Sequence, residues 1–176
     1  MSVPDPDHLL DQADRLIVST GGGTARHVDL RRAISNAYYA LFHAVTAQAV
    51  DDLIGSRHRQ TTRYRLVYRS VDHKTLRRLC EDVVKPTLPR RYSNHAPDGG
   101  FGPDLKFLAT TFGQLQNQRH RADYDPLFAA TRSSAIATVQ KARKALVHFR
   151  KAGQALRRDL LTLAIFPPRE FQEPDV

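Results

Sequence analysis

The apolar residues of this chain recur at intervals of three and four, and that spacing constrains the fold more than any other feature. Residues at i, i+3, i+4 and i+7 share one face of an α-helix, whereas a half-buried strand alternates with a period of two. Over about 7–19, Leu9, Leu10, Ala13, Leu16 and Ile17 form such a stripe. Asp5 or Asp7 is placed to cap its start, and Gly21-Gly22-Gly23 to end it. A second helix is expected from near Val28 to past Val50, with Leu30, Ala33, Ile34, Ala37, Leu41, Ala44, Val45 and Gln48 facing the core. Ala33, Ala37, Ala40 and Ala44 on or beside that stripe permit close approach of a neighbouring helix, and Gly55 ends the run.

Two shorter helices are expected over 61–71 and 74–84, with Asp72 as a cap between them. Residues 85–103 carry Pro86, Pro89, Pro97, Gly99, Gly100, Gly102 and Pro103 and read as an irregular loop. Leu105, Leu108, Phe112 and Leu115 mark a helix over 104–122, stopped by Asp125-Pro126. One last long helix is expected over 132–164, carrying Ile136, Val139, Ala142, Leu146, Phe149, Ala152, Leu156, Leu160 and Leu163, with Pro167-Pro168 as its stop. Period-2 runs are almost absent. The expected fold is all-α: an up-and-down helical bundle of four to five main helices, with helix 2 central. A chain of 176 residues suits one domain. Its core is expected at about 8–164, with a frayed tail over 165–176.

Hydrophobic residues at 41% and charged residues at 26% argue against disorder. The lone Cys80 cannot form an internal disulfide, and its apolar neighbour Leu79 favours a buried thiol over a nucleophile. The N-terminus has no basic region followed by an apolar one, and no stretch nears the roughly 20 apolar residues of a membrane span. A cytoplasmic protein is expected. A formal net charge of +9 and a sequence pI near 10.1 raise the odds of an acidic partner: nucleic acid, an anionic membrane surface or an acidic protein. Most of the cations are Arg, whose fork suits phosphate, although Arg-favouring codon usage explains the same bias.

Three groups of residues carry candidate chemistry. On helix 2, Arg32, Asn36, Tyr39 and His43 are spaced +4, +3 and +4 and share a face beside the core stripe. They read either as a functional face or as a polar seam joining two helices. Later, Arg119-His120-Arg121-Ala122-Asp123-Tyr124-Asp125 can bind phosphate or form an internal ion cluster, with Asp123 able to pair with an Arg of helix 2. Third, Arg57, Arg59, Arg63, Arg65, Arg69, Arg77 and Arg78 are interleaved with His58, Tyr64 and Tyr68. That mixture suits phosphate contacts and base stacking on a single strand, or a solvated helix face. No His-x3-His or paired-Cys spacing suggests a metal, and Gly21-Gly22-Gly23 lacks the strand and Lys of a phosphate loop. Neither metal nor cofactor is expected.

The segments Ala37-Tyr38-Tyr39-Ala40-Leu41-Phe42-His43 and Arg119-His120-Arg121-Ala122-Asp123-Tyr124 together resemble the HEPN family, over roughly residues 8–160. In its small prokaryotic branch, an Ala-Tyr-Tyr-Ala-x-Phe-His stretch precedes an Arg-x-x-Ala-Asp-Tyr stretch. The resemblance implies an up-and-down bundle, usually a homodimer. It also implies a toxin–antitoxin or defence system, with a nucleotidyltransferase-like antitoxin as a possible partner, and RNA as the target of a metal-independent ribonuclease.

Active members place a His five to seven residues after the Arg that corresponds to Arg119. Here Asp123 and Tyr124 follow instead, and the nearby His120 is adjacent. Arg90–His95 and Arg143–His148 do have the spacing, as chance alone provides in a chain this rich in Arg. RNA cleavage through the 2′-hydroxyl needs a base, an acid and charge at phosphorus. Arg119 would supply the charge, with His120, Asp123, Tyr124 and His43 as the remaining candidate catalytic residues. Adjacent helical residues point about 100° apart, which sets Arg119 and His120 on different faces. Arg32, Tyr39, Arg63, Arg65, Arg69 and Arg121 are the candidate RNA contacts. A degenerate or weak nuclease is the expected function; a non-enzymatic helical dimerisation or interaction module is the alternative.

Overall fold

The computed structural model describes residues 3–18, 25–92 and 94–168. Among them are seven α-helices and no strand: α1 (Pro6–Ile17), α2 (His27–Ile54), α3 (Thr62–Ser70), α4 (His73–Val83), α5 (Gly102–Tyr124), α6 (Arg132–Lys151) and α7 (Gln154–Ile165). The local causes are legible at most boundaries. Asp5 accepts from the amides of Asp7 and His8 (2.9 and 3.4 Å), and Pro6 opens α1 where no amide is needed. Asp72 caps α4 through the amides of Lys74 and Thr75, both at 2.9 Å. Thr131 and Ser134 cap α6 reciprocally. Gly55 ends α2 at φ +96°, a conformation that any L side chain would strain.

The expected all-α bundle is what the chain forms. The central helix is α2, against which α1, α3, α5, α6 and α7 all pack. Contacts of α1 with α6 and of α5 with α6 close a ring of four, while α4 lies on α5 and α7. Ala33, Ala37 and Ala40 are fully buried on α2, so small side chains do occupy the close approaches. Leu10, Leu41, Leu105, Phe112 and Leu115 have no exposed surface, as their periodic spacing predicts. Burial on α2 extends beyond one stripe and takes in Ser35, Asn36 and Thr46, because partners surround this helix. Cys80 is a core thiol, 3% exposed, and burial pushes its pKa up to about 12.

Two expectations need correction. The single helix over 132–164 is two helices, broken at Ala152-Gly153. Arg157 returns from α7 to donate to the carbonyls of Phe149 (3.5 Å) and Arg150 (3.1 Å), which satisfies acceptors that α6 leaves open at its end. The apolar stripe continues in register across the break, so periodicity alone does not reveal it. Second, Ile136 is 37% exposed and lies outside the core. The segment 85–103 is anchored at its start. Asp82, 2% exposed, accepts from Lys85 (2.6 Å), from Arg91 and from the Tyr92 hydroxyl (3.3 Å). Burial alone would raise its pKa; the bonds from Lys85 and Arg91 outweigh burial and hold it below the usual carboxylate value. The stop at Gly21-Gly22-Gly23 and the tail over 169–176 lie outside the described residues. No helix among the described residues is long and apolar enough to cross a membrane.

Candidate functional site

Two sequence segments far apart in the chain meet where α2 crosses α5. Tyr39 of α2 accepts a hydrogen bond from Arg119 Nη2 of α5 at 2.7 Å. Arg119 Nε lies 2.8 Å from Asp123 Oδ2, one helical turn on. That contact is an ion pair rather than an aligned hydrogen bond, since Nε has no acceptor along its own N–H direction. The guanidinium carbon also lies 5.9, 5.3 and 5.4 Å from the ring centroids of Tyr38, Tyr39 and Tyr124. Arg119 is therefore boxed by three tyrosines, with its side chain only 19% exposed.

Asp123 does meet helix 2, but through Ser35, whose hydroxyl donates to Oδ1 at 2.5 Å. No Arg of α2 pairs with it, contrary to expectation. Arg31 goes elsewhere: its guanidinium donates to the carbonyls of Ala122 (2.6 Å), Asp125 (2.6 Å) and Phe128 (3.3 Å). It thereby ties α2 to the end of α5 and the turn after it, where the Asp125 carbonyl also accepts from the amide of Phe128 (3.2 Å). Sequence spacing could not assign Arg31 this role, because the acceptors lie about ninety residues away.

Two histidines belong to the same seam. His43 Nδ1 meets the Tyr68 hydroxyl of α3 at 2.6 Å, and His73 Nδ1 of α4 meets the Tyr38 hydroxyl at 2.6 Å. Burial, and then His73, holds the His43 pKa down to about 4. Burial and Arg119 lower that of His73. Both imidazoles are thus kept neutral at pH 7, and burial raises the pKa of both partner tyrosines, so the phenols stay protonated. His73 packs on Phe42, with ring centroids 3.9 Å apart. Sequence reading missed this residue, since its only local mark is its place at the start of α4.

The expected face of Arg32, Asn36, Tyr39 and His43 divides on folding. Asn36 is buried and donates to Gln12 of α1 at 3.0 Å, a polar seam between helices. Tyr39 and His43 face α5, α4 and α3, while Arg32 is exposed and has no partner among the described residues. His120 is exposed and sits 5.0 Å from the Tyr124 ring, on a different face from Arg119. Arg121 lies 4.8 Å over Phe128. Of the two chance Arg/His spacings, Arg143 and His148 turn to different partners. His148 binds Asp104 (2.6 Å), whereas Arg143 binds Asp11 and Asp14 (3.0 and 2.6 Å).

The basic run also divides. Arg65 and Arg69 are exposed one turn apart on α3 and line a cleft of about 460 Å³ with Arg59 and Tyr68. Arg63 is exposed but lies outside that cleft, two residues and more than half a turn from Arg65. Arg59 is bound to Asp51, to which the Tyr64 hydroxyl also donates at 3.0 Å. Tyr64 is 1% exposed, so its ring cannot stack on a base as the sequence pattern suggested. Arg65 and Arg69 have no acidic partner among the described residues.

Among the described residues, no group of three His, Cys, Asp or Glu side chains is placed to hold a metal ion. No known protein family, curated protein or solved structure matches the chain.

Proposed function

We propose that this chain is an RNA-associated helical protein of HEPN type, acting in a toxin–antitoxin or defence pair, and that it binds RNA with little or no cleavage. The observation that carries this reading is the confinement of Arg119. Its Nη2 donates to Tyr39, its Nε is ion-paired with Asp123, and three tyrosine rings lie around it. A phosphate would have to displace a carboxylate already in place. The two imidazoles of that seam, His43 and His73, are each tied to a phenol through Nδ1. RNA binding itself is supported by the net charge of +9 and by the unpaired Arg65 and Arg69 on α3.

Growth arrest and RNA integrity on induced expression, wild type beside Arg119→Ala, form the test. The expected result is intact RNA in both. Metal-independent RNA cleavage by the wild type, abolished in an Arg119→Ala protein of unchanged melting temperature, would overturn it. A second reading, a dimerisation or protein-interaction module, is favoured by one feature. Tyr124, the last residue of α5, and Leu127, in the turn after it, are 63% and 90% exposed, which leaves two large apolar groups in solvent. A second copy of the chain or a nucleotidyltransferase-like antitoxin is the partner that this reading proposes.

A further inference from the structure

The cleft on α3 has a composition that phosphate contact alone does not require. Its lining brings Val3 and Pro4, from the segment before α1, together with Tyr68, Arg65 and Arg69 of α3. Arg59 also lines it, already neutralised by Asp51. No Asp or Glu lines the cleft, so two cations one turn apart face it uncompensated. The remaining lining is largely apolar, and it is held in place. Tyr68 is tied to His43 through its hydroxyl, and Tyr64 behind it is tied to Asp51. At about 460 Å³ the cleft falls in the range of pockets that hold one small organic ligand.

We propose that this cleft binds a nucleoside carrying a terminal phosphate, with the phosphate on Arg65 and Arg69 and the base between Pro4 and Tyr68. The ligand is either a free nucleoside monophosphate or the phosphorylated end of a single strand. This deepens the RNA reading at its most basic point and rests on it for the strand form only. A terminal phosphate carries about −1.5 to −2 at pH 7, against about −1 for an internal one, and so matches two adjacent guanidinium groups. Arg65 and Arg69 are free to reach it because neither serves the fold.

The test measures binding of three probes to the full chain at low salt: a nucleoside monophosphate, its nucleoside, and inorganic phosphate. A short oligonucleotide is measured beside them with and without a terminal phosphate. The expected result is that the monophosphate binds at least about tenfold tighter than either fragment. Preference of the phosphorylated strand over the unphosphorylated one assigns the strand end, and its absence assigns the free nucleotide. Arg65→Gln and Arg69→Gln should each remove the phosphate preference with an unchanged melting temperature, and Arg63→Gln, outside the cleft, should keep it. Equal binding of monophosphate and inorganic phosphate, or no binding of the monophosphate, overturns the proposal. Salt-sensitive strand binding that survives such a result leaves the RNA reading intact. Loss of strand binding with retained monophosphate binding removes that reading instead.

Discussion

Arg119 and Asp123 illustrate how two side chains one helical turn apart can serve the fold more than solvent. Their side chains are 19% and 25% exposed, so the pair lies between a surface ion pair, worth about 0–1 kcal/mol, and a buried one, whose breaking costs about 3–5. Arg119 also packs on three rings, and Asp123 accepts from Ser35. Arg119→Ala is expected to cost about 2–3 kcal/mol, and Asp123→Ala somewhat less. The double variant should cost less than the sum, with a coupling of about 1 kcal/mol, measured by urea unfolding of all four proteins. Strict additivity would mean that the pair contributes nothing as a pair. His43 permits a second residue-scale prediction. Its folded pKa of about 4 lies below the unfolded value of 6.5. Between those values the unfolded chain binds more protons, so stability is full above about pH 6.5 and falls as pH drops toward 4. His43→Phe should flatten that part of the curve, beyond the effect of His73 and the carboxylates, while losing the bond to Tyr68.

At the scale of elements, the break between α6 and α7 separates what the sequence states from what only packing decides. Ala152 and Gly153 sit at φ −54° with ψ 141° and 136°, an extended conformation open to any residue. Nothing there demands glycine, and a Cβ added at Gly153 would meet no atom within 4 Å. Gly153→Ala is therefore expected to be neutral, or stabilising by up to about 1 kcal/mol, through the unfolded chain. Gly55→Ala, at φ +96°, should cost about 1–3 kcal/mol. Thermal melts of the two variants check the contrast. Helices α1 to α5 were legible because their caps and breakers are local: Asp5, Asp72, Gly55 and Pro126 act on neighbours in the chain. The turn at Ala152 was not, because Arg157 folds back over α6 only after both helices exist. The same limit applies to the site. The helical spacing of Tyr39 and His43, and the pairing of Arg119 with Asp123, could be read as i, i+4 relations. The roles of His73, Ser35 and Arg31 depend on which helix lies opposite, and a stripe of apolar residues does not specify that.

For the whole molecule, the decisive quantity is how a charge of +9 is distributed. Of the 27 Lys and Arg side chains, many are engaged internally. Arg59 pairs with Asp51, Arg91 with Asp82, Arg119 with Asp123, Arg143 with Asp11 and Asp14, and Arg150 with Asp7. Arg31 and Arg157 bind carbonyls at helix ends. Cations so engaged add to the field but cannot contact phosphate without leaving a carboxylate or carbonyl bare. Binding to a strand must then rest on side chains without such partners, among them Arg65 and Arg69 on one face of α3, with Arg15, Arg32, Arg63, Arg132 and Arg158 elsewhere. The expected salt response is accordingly shallow for so basic a protein. Each contacted phosphate contributes a slope of about −0.7 to log K against log salt on a single strand, so two contacts give about −1.4. Removing Arg69 should reduce the slope by about one contact, whereas Arg143→Gln should leave it nearly unchanged. Binding isotherms for single-stranded RNA at several salt concentrations measure this directly. A slope several times steeper would show that the paired arginines open to meet RNA, and the internal ion pairs would then be a closed form of the binding surface. A slope of zero would remove nucleic acid from the function and leave the interaction module.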